Sequence, residues 1–147
     1  MESRADNRQR LAFGAGGAGL LALLALGRAL TTANDSYVTF AGRELHWTCA
    51  FKQAFGVPCP NCGMTRSVVF TLHGEWAGAL RMNPAGPVLV IGALALCVAL
   101  LAMALGRPRV GEPTAASRAA RRLALASAVY GGVFAAVLLA NWVRVIT

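Results

Sequence analysis

The feature that most constrains the fold is a long apolar run without any charged side chain, from Pro87 to Leu105. At about 1.5 Å per residue, a helix of this length is about 28 Å long, close to the ~30 Å hydrocarbon core of a bilayer. Two further apolar runs occupy 11–30 and 123–143. Because backbone polar groups inside a bilayer must be satisfied within the protein, such runs cross it as helices. We therefore predict an all-α integral membrane protein, a single membrane domain with about three transmembrane helices.

The composition fits this architecture and argues against a nucleic-acid-binding protein. Only 14% of the residues are charged, whereas soluble domains carry roughly 25%. The basic residues outnumber the acidic ones by 14 to 6, and the arginines flank the apolar runs. In such positions arginines set topology and contact lipid headgroups. We expect the lipid bilayer, and no nucleic acid, to be the partner that this charge reflects.

The first apolar run has two interpretations. It is either a retained transmembrane helix or a cleaved signal peptide, with a weak cleavage site at Thr31-Thr32-Ala33. The run is long for a signal peptide and contains Arg28 near its end, so we favour the retained helix. In both cases the residues after Leu30 are expected to be exported.

The distribution of basic residues predicts the topology. Lysine and arginine are denser in the N-terminal segment and the loop 106–122 than in the long interval 31–86. Since cytoplasmic loops carry the excess of positive charge, the chain is expected to start inside and to expose the interval 31–86 outside.

The interval 31–86 is too polar to span a membrane. Apolar residues around Ala41 and Gly42 predict a short hairpin. From Pro60 onward, apolar residues recur at helical spacing and predict a short helix that ends at Gly74. We expect this helix to carry the cysteine motif and to lie at the membrane interface.

The last apolar run contains a stripe of small residues. Such a stripe lets a neighbouring backbone approach closely, so it predicts tight packing within the bundle, or contact with a membrane-protein partner or a second copy of the chain. The residues of this small-residue stripe are Ala124, Ala128, Gly132, Ala136 and Ala140.

Three of the four cysteines lie in the polar interval, at Cys49, Cys59 and Cys62, and three kinds of site are open to them. A disulfide would persist in an exported loop and stabilise it by roughly 2–4 kcal/mol, although one cysteine would be left over. With His46, the three thiolates would complete a zinc site, which an oxidising compartment disfavours. In a redox site, Cys59 at a helix start would have a lowered pKa and act as nucleophile, with Cys62 or Cys49 as resolving thiol. Cys97, inside the charge-free run, is expected to be only a small apolar residue.

Arg66, close to this motif, also has two interpretations. It either pairs with a phosphate, a carboxylate or a thiolate, or it is an interfacial arginine whose side chain extends to the lipid headgroups. Further along, Asn83 and Pro84 predict the start of the second span, with asparagine as the N-cap and proline in the first turn.

The stretches Cys49-Ala-Phe-Lys, Cys59-Pro-Asn-Cys-Gly-Met-Thr-Arg66 and Asn83-Pro-Ala-Gly86 resemble a bacterial domain-of-unknown-function family. Its members are small multi-helix membrane proteins with a CPxCGxTR motif and a following NPxG motif. The resemblance covers roughly residues 49–105. It implies a multi-pass protein of the bacterial inner membrane, and it implies no activity. The motif residues that it singles out are Cys49, Cys59, Pro60, Cys62, Gly63, Thr65, Arg66, Asn83 and Pro84.

Two functions are compatible with this sequence. The first is a non-enzymatic membrane component, whose exported loop is stabilised by a disulfide or by zinc and serves docking or assembly. The second is a membrane thiol–disulfide oxidoreductase that uses the Cys59/Cys62 pair. The sequence favours the first, and zinc is the one cofactor that it suggests.

Overall fold

The structure, a computed structural model, describes residues 2–46, 49–105 and 113–147. In these ranges the chain is mostly helical, and α1, α5 and α6 are long and apolar enough to cross a membrane. The prediction of three helices that are long and apolar enough to cross a membrane is therefore confirmed. In chain order the elements are α1 Glu2–Leu30, β1 Thr31–Ala33, β2 Val38–Phe40, β3 Arg43–Leu45, α2 Ala50–Phe55, α3 Met64–His73, α4 Trp76–Met82, α5 Ala85–Leu105 and α6 Pro113–Ile146.

The long helices extend beyond the apolar runs that predict them. The first begins at Glu2 rather than at residue 11, and α6 begins at Pro113 rather than at residue 123. The predicted loop 106–122 is therefore helical from 113 onward, and its remaining residues, 106–112, lie outside the described part of the chain. The difference has a simple cause: an apolar run marks the part of a helix that lies in lipid, whereas arginine and alanine sustain the helix in water as well.

The first and second spanning helices, α1 and α5, pack closely against each other through a glycine. Gly17 is buried, and a Cβ atom added to it would lie 2.9 Å from Leu101 Cγ. Next to this contact the buried thiol of Cys97 donates a hydrogen bond to the Gly17 carbonyl oxygen, at 3.2 Å. Cys97 is thus a small residue that fills a helix contact, as expected, and α1 and α5 pack at a distance that only small residues allow.

The third spanning helix, α6, is attached in a different way from the one that the sequence predicts. The Tyr130 hydroxyl donates a hydrogen bond to the Val88 carbonyl at 2.9 Å, and its ring occupies the space beside Gly92. The small-residue stripe is exposed along its whole length, so the prediction that it packs tightly within this chain's bundle was wrong. Large aromatic side chains on another face make the contacts instead. A contact of the stripe with a second copy of the chain, or with another membrane protein, stays a prediction.

A small antiparallel sheet, ordered β1-β2-β3, follows α1. Ala41 and Gly42 have φ angles of 48° and 80° and connect β2 to β3 in a two-residue turn, which is the hairpin that the sequence predicts. Two positive φ angles give the turn the twist of the strands that it joins. The first strand, β1, was not predicted, because three residues directly after a helix show no alternation. The sheet is a correction to the all-α class.

The two cysteines of the motif, Cys59 and Cys62, precede the short helix α3 instead of lying on it. Residues 60–63 form turns, and α3 begins at Met64 rather than at Pro60. Its end at Gly74, with φ of 81°, agrees with the prediction. Arg28 at the end of α1 donates a hydrogen bond to the Leu72 carbonyl at 2.5 Å, and so satisfies one of the unpaired carbonyls at the end of α3. The position of α3 at the membrane interface stays a prediction.

The short helices α3 and α4 pack onto α5 where Ser67 meets Gly86. Ser67 is fully buried, and its hydroxyl lies 2.9 Å from the Ala79 carbonyl and 2.6 Å from the Asn83 carbonyl. A Cβ atom added to Gly86 would lie 2.1 Å from the Ser67 Oγ and 2.6 Å from its Cβ. This position therefore has no room for any side chain.

We predict that Gly86→Ala destabilises the protein by roughly 1–3 kcal/mol, because the added methyl overpacks the Ser67 contact. Thermal unfolding in detergent micelles measures the effect. Gly19→Ala is the matched control, since nothing lies within 4 Å of a Cβ added to this exposed helical glycine. Equal shifts in Tm for the two variants would contradict the packing argument.

Candidate functional site

Three cysteines line one cavity of about 190 Å³ between the sheet and the start of α3. Cys49 lies at the N-cap position of α2, whereas Cys59 and Cys62 come from the loop between α2 and α3. All three are half-buried free thiols. The structure thus brings together the three cysteines that the sequence singles out.

Cys49 has the more acidic thiol of the neighbouring pair Cys49 and Cys59. Its side chain makes no short capping hydrogen bond at the start of α2. The backbone N–H of Lys52 nevertheless interacts with the sulfur and lowers the pKa of Cys49, and the hydrogen bond with the Cys59 side chain lowers it further. Both interactions stabilise the thiolate, because unpaired amides at a helix start and a donated S–H favour negative charge.

The pKa of Cys59 is shifted in the opposite direction from the one that the sequence predicts. Desolvation raises the pKa of the Cys59 thiol, and the hydrogen bond with Cys49 raises it further. The prediction of a lowered pKa at Cys59 was wrong, since the turns at 60–63 separate this residue from the start of α3. Of these two neighbouring thiols, Cys49 is thus the one that loses its proton more readily.

A second cavity, of about 120 Å³, lies behind the first one. Cys59, Cys62, Gly63 and Arg66 line both cavities, so these four motif residues form the wall between them. The far side of the second cavity belongs to the end of α6, with Asn141, Trp142 and Val145.

The contact between α6 and the cysteine loop was not found from the sequence. The Trp142 Nε1 donates a hydrogen bond to the Pro58 carbonyl at 2.9 Å. Asn141 is 5% exposed, and its Oδ1 accepts a hydrogen bond from Arg144 at 3.0 Å. A polar residue in an apolar run marks a functional or packing position in a membrane helix, so Asn141 carried a signal that could have located this contact.

Asn83 connects the cysteine motif to the membrane helix α5. Its fully buried side chain donates from Nδ2 to the carbonyl oxygens of Pro60 and Cys62, both at 3.2 Å. Its Oδ1 accepts a hydrogen bond from the N–H of Ala85 at 3.0 Å, which is the predicted N-cap, and Pro84 lies in the turn between the two. One side chain therefore caps α5 and holds the turn that carries Cys59 and Cys62.

Gly63 is required by its backbone conformation and by its surroundings. It has a φ of 78° as the N-cap residue of α3, a value that favours glycine. A Cβ atom at this position would lie 2.9 Å from the Met82 carbonyl oxygen. The glycine of the motif therefore lets the cysteine turn approach the end of α4.

Arg66 extends from α3 towards the sheet side of the site. Its Nη1 donates a hydrogen bond to the backbone oxygen of Asp35, and the half-buried residue lines both cavities. The exposed Thr65 lines the first cavity and not the second one. Arg66 thus lies at both cavities, and its contact with an anion, a thiolate or the lipid headgroups stays a prediction.

His46 interacts with the sheet region instead of the cysteines. Its Nε2 lies 3.2 Å from a carboxylate oxygen of Glu44, and its ring lies 5.0 Å from that of Tyr37. Hydrogen bonds from Tyr37 first, and then from His46, lower the pKa of Glu44. Within the described ranges no three His, Cys, Asp or Glu side chains are placed to hold a metal ion. The proposed ligands His46, Cys49, Cys59 and Cys62 are thus not gathered into a coordination site, and zinc binding stays a prediction.

A family model described as "Protein of unknown function (DUF2752)" matches residues 49–102. This segment includes the three cysteines of the site, Asn83 and most of α5, and it confirms the resemblance to a domain-of-unknown-function family. No curated protein and no solved structure matches the chain. The chain is thus a multi-span membrane protein whose cysteine site lies in a segment similar to a family of unknown function.

We predict that Asn83→Ala destabilises the protein by about 2–4 kcal/mol, because it leaves two carbonyls and one buried N–H without their partner. Thermal unfolding in detergent and limited proteolysis of the loop around Pro58 measure the effect. The matched control is Asn7→Ala, at an exposed position of α1. Unchanged proteolysis of the loop in Asn83→Ala would contradict the connecting role.

We also predict that alkylation of Cys49 by iodoacetamide sets in at a lower pH than for an ordinary thiol, since its lowered pKa leaves more thiolate near neutral pH. Cys59→Ala removes one stabilising interaction and should shift the alkylation profile to higher pH. Cys59→Ser keeps a donor and should shift it less. Peptide mass spectrometry follows Cys49 alone, and identical profiles for wild type and Cys59→Ala would refute the predicted interaction.

Proposed function

We propose that this protein is a membrane-anchored thiol–disulfide exchange protein, in which Cys49 is the nucleophile and Cys59 the resolving thiol. One observation carries the proposal: two neighbouring thiols at a cavity have pKa values shifted in opposite directions. Perturbed pKa values in a cleft are typical of functional sites. This assignment keeps the oxidoreductase interpretation but replaces the Cys59/Cys62 pair by Cys49 and Cys59.

The reaction proceeds in two exchange steps. The Cys49 thiolate attacks one sulfur of a substrate disulfide, which forms a mixed disulfide and releases the first substrate thiolate. Cys59 then transfers its proton to that thiolate or to water, and its sulfur attacks the Cys49 sulfur. The second substrate thiolate leaves, and the site holds a Cys49–Cys59 disulfide. Two cysteine thiols are oxidised while one substrate disulfide is reduced to two thiols.

The different roles of the two cysteines follow from their surroundings. A nucleophilic thiol must be deprotonated and accessible, and Cys49 lies at the start of α2, none of whose residues is buried. A resolving thiol should remain protonated until the mixed disulfide forms, and desolvation raises the pKa of Cys59. Cys62, in the wall between the two cavities, is not needed for the exchange.

We place the site on the outer face of a bacterial inner membrane, with the start of the chain inside. The lower density of basic residues in the interval 31–86 supports this orientation. The outer face is an oxidising compartment, where disulfide substrates are present. Along the apolar part of α6, the exposed small-residue stripe is open to contact with a second copy of the chain or with a membrane-protein partner.

A docking or assembly role is the second candidate, and the surface of α2 favours it. Phe51 and Phe55 are 37% and 68% exposed, with ring centroids 4.7 Å apart, and Val57 continues the apolar surface. In this function a disulfide or zinc would only stabilise the loop, and no cysteine would turn over.

Trapping of the mixed disulfide tests the proposal. With bis(2-hydroxyethyl) disulfide as the probe, the purified full chain with Cys59→Ser should accumulate a mixed disulfide at Cys49, about tenfold above its level in wild type, because the resolving step is blocked. Cys62→Ser, the matched control, should proceed to the Cys49–Cys59 disulfide as wild type does. Acid quenching, alkylation and peptide mass spectrometry identify each adduct.

The outcomes separate the two candidate functions. A mixed disulfide at Cys59 in Cys49→Ser, with an unreactive Cys49 in Cys59→Ser, would reverse the assigned roles and refute this mechanism. Failure of every cysteine to react in the folded protein would refute exchange altogether, and would favour the docking role.

A further inference from the structure

The charge on the side chains that line the cavity at Cys49 and Cys59 is positive. Arg66 is its only charged lining residue, and no acidic side chain of the described chain lines it. One nitrogen of the guanidinium, Nη1, donates to the Asp35 carbonyl. A guanidinium has five N–H donors in a planar fork that matches a carboxylate, so most of its donors remain for a ligand.

The neutral polar groups of the cavity also fit an anion. Ser36 and Thr65 supply hydroxyl groups, and Asn61 supplies an amide. Each of these groups can donate a hydrogen bond to a carboxylate oxygen. The cavity therefore combines hydrogen-bond donors with one cationic side chain, and no carboxylate of the described chain lines it.

The size of the cavity limits the ligand. Its volume of about 190 Å³ is slightly larger than the ~150 Å³ engineered cavity that holds a benzene molecule. One half of a small disulfide fits, while the other half can extend through the open side towards solvent. A folded protein domain could present no more than one side chain to it.

We propose that this cavity binds a low-molecular-weight disulfide that carries a carboxylate, with Arg66 binding the carboxylate beside the attacking Cys49. The inference rests on the proposed exchange function and names its substrate class. Arg66 is then a specificity-determining residue: it does not react, but it holds the disulfide where the Cys49 sulfur can reach it. The reaction consumes one such disulfide and releases two carboxylate-bearing thiols, as the site forms the Cys49–Cys59 disulfide.

Three probes of similar size test the charge preference in the full-length protein. They are 3,3′-dithiodipropionate, which is a dianion, bis(2-hydroxyethyl) disulfide, which is neutral, and cystamine, which is a dication. The rate of formation of the Cys49–Cys59 disulfide is measured for each at an ionic strength of about 0.15 M. Each rate is divided by the rate at which the same probe reacts with free 2-mercaptoethanol, which corrects for intrinsic reactivity.

We expect the corrected rate for the dianion to exceed that for the neutral probe by about tenfold, as for a charge-assisted contact, and cystamine to react most slowly. In Arg66→Gln the preference, taken as the ratio of the dianion rate to the neutral rate in the same variant, should fall to about twofold or less. Arg66→Lys keeps the charge without the fork and should lie between the two. Arg43→Gln is the matched control, because this exposed arginine lies outside both cavities and its loss should leave the preference intact.

The result that overturns the inference is an equal corrected rate for the dianion and the neutral probe in wild type, or an unchanged preference in Arg66→Gln. Either result, with the Cys49–Cys59 disulfide still forming, leaves the exchange function standing. If no probe modifies Cys49, both the inference and the function fail. If Arg66→Gln does not fold, as judged by its Tm, the wild-type ranking of the probes together with Arg66→Lys decides.

Discussion

The site depends on one buried side chain, that of Asn83. Its amide donates to two carbonyls of the turn that carries Cys59 and Cys62, while its oxygen caps α5. A turn without regular secondary structure has backbone groups that need partners when they are buried. Asn83 supplies these partners from a position two residues before α5, so the cysteine turn is held in a fixed position relative to the helix that can span the bilayer.

The close contacts between backbone segments near Asn83 and between the helices occur at glycines, which have no side chain. Gly63 brings the turn against the Met82 carbonyl, Gly86 leaves space for Ser67, and Gly17 brings α1 against Leu101. In lipid, burial of apolar surface between helices contributes little, so close backbone approach and hydrogen bonds carry more of the stability. The third spanning helix, α6, is held by large side chains instead, because Tyr130 and Trp142 donate hydrogen bonds to backbone carbonyls of other segments.

The chemistry of the site arises from different surroundings of identical side chains. The amide of Lys52 and the Cys59 side chain lower the pKa of Cys49, whereas desolvation raises the pKa of Cys59. In the proposed exchange reaction, this difference assigns the nucleophilic role to Cys49 and the resolving role to Cys59. Arg66 adds a positive charge to the same cavity, which supports a substrate class as well as a reaction.

The sequence by itself determined the three apolar helices, the hairpin turn at Ala41 and Gly42, the cap at Asn83 and which three cysteines form the site. It could do so because periodicity, turn chemistry and capping are local properties of a chain. It could not determine that Cys49 is the more acidic thiol, that Asn83 also holds the cysteine turn, or that the small-residue stripe of α6 faces outward. Trp142 meets Pro58 across 84 positions of sequence. Such contacts, and the desolvation that shifts a pKa, exist only when distant segments are folded together, and so the tertiary structure alone decided them.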